Sequence, residues 1–193
     1  MKNRVKTPVL FTILLFSILS ASAQLKLPVA NPVGPDIKRV LADYRGHFSG
    51  LLGDMIVQNP QSTDYKCRFN LNGAESTSIT VYTSSEKTIA SWQSLVLTTD
   101  DFEKAKQKFH SLFNQINNLA FQFEGGATYH LKGEYNSPVE EMKFGSVIFT
   151  PTPTDEASKK LRVEISLQYE LLEWKVSVLV YEKEREDTDG VRY

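Results

Sequence analysis

The sequence predicts an α+β fold, a two-layer sandwich in which an antiparallel sheet carries two amphipathic helices on one face. Two stretches place apolar residues at the i, i+3, i+4, i+7 spacing of a helix. Other stretches are short, strand-like runs, several of which alternate apolar and polar residues. The order is one helix and three strands, twice over, so we interpret the chain as a duplicated α-β-β-β unit. The alternative is a single α+β domain whose halves only resemble each other.

The first predicted helix has a long apolar stripe that glycines interrupt. The stripe consists of Ile37, Val40, Leu41, Tyr44, Phe48, Leu51, Leu52 and Met55. Gly46, Gly50 and Gly53 each weaken a helix by up to about 1 kcal/mol relative to alanine. Such glycines would instead permit close approach to a sheet.

The second predicted helix starts more cleanly, because Asp100 or Asp101 can cap it. Its stripe consists of Phe102, Ala105, Phe109, Leu112, Phe113 and Ile116. A shift of 65 residues maps Asp36 onto Asp101 and Tyr44 onto Phe109. Any two capped amphipathic helices share such features, so the strands that follow give the better support for duplication.

Three strand-like runs follow each predicted helix. They are YKCRFNL, SITVYTS and TIASWQSLVLT in the first unit, and MKFGSVIFT, LRVEISLQYE and EWKVSVLVYEK in the second. Both third runs contain W-x-x-x-V-L, at Trp92 and Trp174. Short polar joins favour antiparallel hairpins, and period-two alternation indicates one buried and one wet face. The last run is apolar on both faces in its middle, so we expect it to be central or covered on its second face.

The N-terminal residues have the order of a secretory signal peptide. MKNRVK is basic, residues 9–19 are apolar, and ASA at 21–23 offers small side chains. We predict cleavage after Ala23 and an exported protein, periplasmic or secreted. The apolar run is shorter than the roughly 20 residues that a spanning helix needs, and an uncleaved anchor is the alternative. No later run is long enough, so no integral membrane segment is expected after cleavage.

The remaining boundaries follow from composition. The predicted parts are the signal peptide (1–23), a proline-rich lead-in (24–35), one α+β domain (36–183, with units at about 36–98 and 101–183) and a charged flexible tail (184–193). Cleavage would leave 170 of the 193 residues, with 19 basic and 23 acidic side chains, a net charge of −4. No basic patch with interleaved aromatic residues is present, which argues against nucleic acid as a partner.

No catalytic, metal-binding or cofactor-binding signature rises above background, so we assign no catalytic residue, no metal ligand and no cofactor. His47, His110 and His130 lack the spacing of zinc ligands, and His110 is expected on a solvated helix face. Cys67, the only cysteine, is predicted to be buried and unreactive on the apolar face of a strand.

One segment, 121–141, is not required by a core of two equal units. It carries aromatic residues beside glycines, a composition typical of binding loops. We therefore predict that Phe123, Tyr129, His130 and Tyr135 bind a ligand. The alternatives are an extra edge hairpin and a lid that only closes the core.

These observations favour an exported, soluble binding or interaction module without evident catalytic machinery. Its partner would be a protein or a small ligand that the sequence does not identify. The alternative is an exported hydrolase-type enzyme whose site is assembled from scattered residues. Converging His, Asp and Glu side chains with shifted pKa values would favour the enzyme, whereas an open apolar patch or a bare strand edge would favour the binder.

Overall fold

The computed structural model describes residues 32–83, 88–123 and 125–183. Within these ranges the helices are α1 (Gly34–Asp43) and α2 (Phe102–Ile116). The strands are β1 (Leu52–Gln58), β2 (Ser62–Cys67), β3 (Ser76–Thr83), β4 (Thr88–Thr99), β5 (Ala120–Gln122), β6 (Thr128–Lys132), β7 (Phe144–Thr152), β8 (Leu161–Glu170) and β9 (Glu173–Glu182). The predicted signal peptide, most of the predicted lead-in and the predicted tail lie outside the described residues.

The nine strands form a single sheet in the order β1-β2-β3-β4-β9-β8-β7-β6-β5. Every neighbouring pair is antiparallel. The α+β class and the antiparallel sheet predicted from the sequence are therefore confirmed. Neither α1 nor α2 is long and apolar enough to cross a lipid bilayer.

β4 and β9 lie together at the centre of the sheet, where Trp92 is opposite Val180 and Thr99 is opposite Trp174. The central position expected for the last strand is confirmed. From this centre, β3 and β2 run outward on one side and β8 and β7 on the other, so the two halves of the sheet have mirrored strand order. Leu179, on the second face of β9, is half-buried.

The first helix is much shorter than its apolar stripe indicates, so the expectation of a helix reaching Met55 is wrong. α1 ends at Asp43 and is followed by two 3-10 turns, Tyr44–Gly46 and Ser49–Leu51. Between them, His47 and Phe48 have φ angles of 52° and 58°, which no α-helix can accommodate. Met55 lies exposed on β1.

Gly53 shows why the chain becomes a strand here. A Cβ atom at Gly53 would lie 2.8 Å from the backbone oxygen of Lys66 on the neighbouring β2. Only glycine permits strands to approach this closely without a shift. The expectation that a glycine in this stretch allows close approach to the sheet is confirmed at Gly53.

α2 matches its sequence pattern closely. Asp101 caps the helix, with its Oδ1 accepting a hydrogen bond of 3.1 Å from the backbone N–H of Lys104. Five of the six stripe residues are buried, while Phe113 is partly buried against the core. The helix packs on β4, β8 and β9. His110 is exposed, as expected for a residue off the apolar stripe.

The two sheet edges contain the strands that the sequence pattern did not separate. β1 forms one edge, and the β5–β6 hairpin forms the other. The start of the 121–141 segment therefore belongs to an edge hairpin, which was one of the expected alternatives. Cys67, at the end of β2 opposite Leu52, is half-buried rather than fully buried, because its strand lies next to the edge.

Candidate functional site

Two of the four predicted ligand-binding residues lie inside the protein. Phe123 and Tyr129 are buried, with ring centroids 5.3 Å apart. Phe121 lies 5.4 Å from Tyr129, and the Tyr44 ring stacks on Phe123 at 6.2 Å. These rings join the edge hairpin to the end of α1.

The other two predicted residues lie apart from this cluster. The Tyr135 ring packs on α2, 5.0 Å from His110 and 5.0 Å from Phe113. His130 is half-buried on β6, opposite Ala120, and points to the sheet face away from Tyr129. The structure thus brings only Phe123 and Tyr129 together, and ligand binding by the four residues stays a prediction.

A polar hollow of about 270 Å³ lies on the sheet, and strands β3, β4, β8 and β9 supply all of its walls. Its lining consists of Ser76, Ser78, Gln93, Leu95, Ser166, Gln168, Glu170, Lys175 and Ser177. We name this hollow the serine trough. Strand alternation places these residues on the face opposite the buried Val163, Ile165 and Val176.

Ser166 and Ser177 form the floor of the serine trough. They are directly opposite each other on β8 and β9 and are only 3% and 6% exposed. In the described part of the chain, neither hydroxyl has a hydrogen-bond partner within the protein, and neither oxygen is sealed from solvent, because both open onto the hollow. Both hydroxyls therefore retain donor and acceptor capacity for a water molecule or a ligand in the hollow.

The rim of the trough carries amides and one ion pair. Gln168 lies opposite Lys175, and Gln93 lies opposite Ser78. The Lys175 ammonium is 3.0 Å from the Glu170 carboxylate, so the two charges largely cancel. The trough therefore offers hydrogen bonds without net charge.

A polar contact lies farther along the same sheet face. The Tyr181 hydroxyl donates a hydrogen bond of 2.9 Å to Oε2 of Glu164. Burial and this carboxylate raise the pKa of Tyr181 to about 12. The hydroxyl therefore stays protonated and donates at neutral pH, and it holds the Glu164 side chain of β8 against Tyr181 of β9.

Sequence reasoning missed the trough because its residues look ordinary on their strands. Ser166 and Ser177 occupy wet-face positions in EISLQ and KVSVL, where polar residues are expected. Their burial arises from neighbouring strands that are distant in the sequence. The sequence contains one signal of the trough. Both serines lie near the middle of strands whose other side chains are mostly large, and a short hairpin joins these two strands.

The chemistry of the trough is that of recognition through hydrogen bonds. Its groups are hydroxyls, amides, one carboxylate and one ammonium. Among the described residues, no three His, Cys, Asp or Glu side chains converge as a metal site. Comparisons of the chain with protein-family models, with curated proteins and with solved structures give no match.

Proposed function

We propose that the chain is an exported, soluble binding module whose ligand-binding surface is the serine trough. The observation that carries this proposal is that the hydroxyls of Ser166 and Ser177, which have no partner within the protein, open onto the hollow. Both residues are almost buried in the middle of a sheet, where valine suits a strand better than serine, so fold stability alone would favour valine, whereas a bound ligand would use the hydroxyls.

The edge strand β1, whose outer side pairs with no other strand of the described residues, supports an interaction role. Met55, Ile56 and Val57 are consecutive and all exposed. Soluble proteins usually protect a sheet edge with charged residues or proline. An exposed apolar edge is the kind of feature that favours a binding module over an enzyme.

Export is supported by the charged start, the apolar run and the small residues before Gln24. Intact-mass measurement on protein recovered from an exporting host tests this part of the proposal. We expect a chain that begins at Gln24. Retention of Met1 in the exported fraction would contradict it.

We also propose that the fold is a duplicated α-β-β-β unit in two layers. Trp92 and Trp174 are 82 residues apart. Adding 82 to Trp92 and subtracting 82 from Val180 converts the observed Trp92–Val180 pair into an expected Trp174–Thr98 pair. The observed pair is Thr99–Trp174, and a register shift within β4 accounts for the difference of one residue. The buried residues of both helices belong to one core, which supports their lying on the same face of the sheet.

A double variant, Ser166→Val with Ser177→Val, replaces both floor serines and tests the trough. The added methyl groups would enter the hollow, and valine suits a strand better than serine. If the hydroxyls serve a ligand, the double variant should be more stable by about 1–2 kcal/mol in denaturant titration. If the hydroxyls hold the fold together, the variant would be less stable, and the proposal would fail.

Ser146→Val is the matched control. Ser146 lies opposite Ser166 in the same row of the sheet, but it does not line the trough. Its change in stability gives the generic effect of a serine-to-valine substitution on this face. The floor variants should gain at least as much as this control.

A further inference from the structure

We infer that the serine trough takes a neutral, polyhydroxylated ligand, a saccharide, and that Phe144 supports the apolar face of a sugar ring. This inference rests on the proposed binding function. It adds the chemical class of the ligand, which charge, hydrogen-bonding groups, backbone pairing and the exposed ring together indicate.

Charge is the first indication. Glu170 and Lys175 are the only ionisable residues of the nine that line the trough, and they pair with each other at 3.0 Å. An anion would meet the Glu170 carboxylate and a cation the Lys175 ammonium, each at the expense of this ion pair. A neutral ligand leaves the ion pair intact.

The hydrogen-bonding groups are the second indication. The trough has four serines and two glutamines. Each serine hydroxyl can donate and accept, and each glutamine amide presents a donor beside an acceptor. Sugar hydroxyls have the same dual character, so a row of them can pair with Ser166, Ser177 and Gln168 in either direction.

The backbone of the trough strands is the third indication. β3, β4, β9 and β8 are all interior strands, paired on both sides. An extended peptide therefore cannot bind here by adding a strand, which is the common way for a sheet to capture peptides. Recognition in the trough must proceed through side chains, as it does for saccharides.

Phe144 is the fourth indication. It lies opposite Gln168 on β7, on the same sheet face as the trough, and its side chain is 51% exposed. An aromatic ring at the edge of a polar hollow offers an apolar surface to the C–H face of a sugar. The hollow, at about 270 Å³, is just below the roughly 300–1,000 Å³ of typical small-molecule pockets, so it admits a short saccharide segment.

The experiment uses the full chain purified from an exporting host and three neutral probes: maltotriose, cellotriose and tri-N-acetylchitotriose. Trigalacturonic acid is the charged comparison, and the peptide Gly-Ser-Gly-Ser is the non-sugar comparison. Chemical shift perturbation and calorimetry measure binding. We expect at least one neutral probe to bind with a Kd of roughly 10 μM to 1 mM, as an open hollow allows. The acid and the peptide should bind at least about tenfold more weakly, a difference of one order in Kd.

The variants locate the site. Ser166→Val with Ser177→Val should weaken the best probe by at least tenfold, and Phe144→Ala by about threefold to tenfold. Ser146→Val should leave its affinity within about twofold. Loss of binding in the Ser146 control, or full binding in the double variant, would overturn the assignment of the trough.

The outcomes separate this inference from the proposed function. If no neutral saccharide binds up to about 10 mM, the saccharide assignment is overturned, while a stability gain of the floor double variant still supports a binding trough. Tighter binding of trigalacturonic acid or of the peptide would likewise overturn only the ligand class. If the floor double variant loses stability, the proposed function fails as well.

Discussion

The Tyr129 hydroxyl donates a hydrogen bond of 2.5 Å to Oδ2 of Asp155, which joins β6 to the loop between β7 and β8. The backbone N–H of Ser158 donates to the other carboxylate oxygen of Asp155 at 3.0 Å. The hydrogen bond with Asp155 raises the pKa of Tyr129. The hydrogen bonds from Tyr129 and Ser158 lower the pKa of Asp155. A residue predicted to contact a ligand thus anchors a loop of the folded chain.

This pair should make stability depend on pH at both extremes. The pKa of Asp155 in the folded state lies below its ordinary value of 3.8, so its contribution is present above that value and is lost as pH falls through the depressed pKa. The pKa of Tyr129 is raised above 10.0, so its contribution is present below pH 10 and is lost as pH rises through the raised pKa. In a plot of the free energy of unfolding against pH, Asp155→Asn should reduce the fall at acid pH. Tyr129→Phe should reduce the fall at alkaline pH.

Asp100→Asn is the control for this pH profile. Asp100 is exposed and makes no contact with the Tyr129–Asp155 pair. An acid limb that changes equally in Asp100→Asn and Asp155→Asn would show that general charge, rather than this hydrogen bond, sets the pH dependence.

Truncation of Tyr129 should damage folding more than truncation of Tyr135. Tyr129 is buried between Phe121 and Phe123, whereas Tyr135 is only partly buried against α2. Tyr129→Ala should cost about 3–5 kcal/mol, the usual range for a buried aromatic residue, and Tyr135→Ala clearly less. Denaturant titration of the two single variants measures the difference. Equal, small losses would show that Tyr129 does not hold the core together, which would favour its predicted contact with a ligand.

Long periodic elements could be predicted from the sequence, and short or ambiguous ones could not. α2 and the long strands β8 and β9 have enough regular positions to show their type. Leu52 and Met55 are three residues apart, which fits a helical stripe, and the β-bulges of β1 remove the period-two alternation that would indicate a strand, so the sequence predicts too late an end for α1. β5 has three residues, too few to show a period.

The trough depends on information that a single strand does not contain. The burial of Ser166 and Ser177 follows from the pairing of β8 with β9 and of β9 with β4, and the latter strands are separated by α2, β5, β6, β7 and β8 in the sequence. Aromatic composition pointed instead to the 121–141 segment. There, Phe123 and Tyr129 serve the core because the edge hairpin turns them inward.

Trp92 and Trp174 should respond differently to the same substitution. Trp92 is fully buried, and its indole N–H is the one buried side-chain group without a hydrogen-bond partner in the described part of the chain. Trp92→Phe loses part of the buried aromatic surface but also removes this unpaired donor. Removal of the donor offsets about 1–3 kcal/mol of the lost stability. Trp174, packed 4.9 Å from Phe102 and 5.0 Å from Tyr169, has no such compensation.

Denaturant titration of Trp92→Phe and Trp174→Phe tests this difference. The two positions are a matched pair, since both tryptophans lie in W-x-x-x-V-L stretches on the two central strands. We expect the smaller loss of stability at Trp92. A larger loss there would show that the indole N–H has a partner, such as a bound water.

The turn between β8 and β9 should be easy to stabilise. Glu170 pairs with Glu173, which leaves Leu171 and Leu172 as a two-residue turn with φ angles of 51° and 69°. Turns of this kind favour Asn-Gly, because both central residues need positive φ. Here the two leucines are also 88% and 79% exposed, so burial does not compensate for the unfavourable backbone. Leu171→Asn with Leu172→Gly should therefore raise the free energy of unfolding by about 1–2 kcal/mol.

Leu171→Ala with Leu172→Ala is the control for this turn. It removes the exposed leucine side chains but keeps a Cβ atom at both positive-φ positions, so it should give little gain. Thermal unfolding of the three proteins compares them, and 1 kcal/mol corresponds to a shift in Tm of roughly 2–4 °C for a chain of this size. An alanine variant as stable as the Asn-Gly variant would mean that backbone strain is not the cause. The gain would then come from removing apolar surface at the tip of the hairpin.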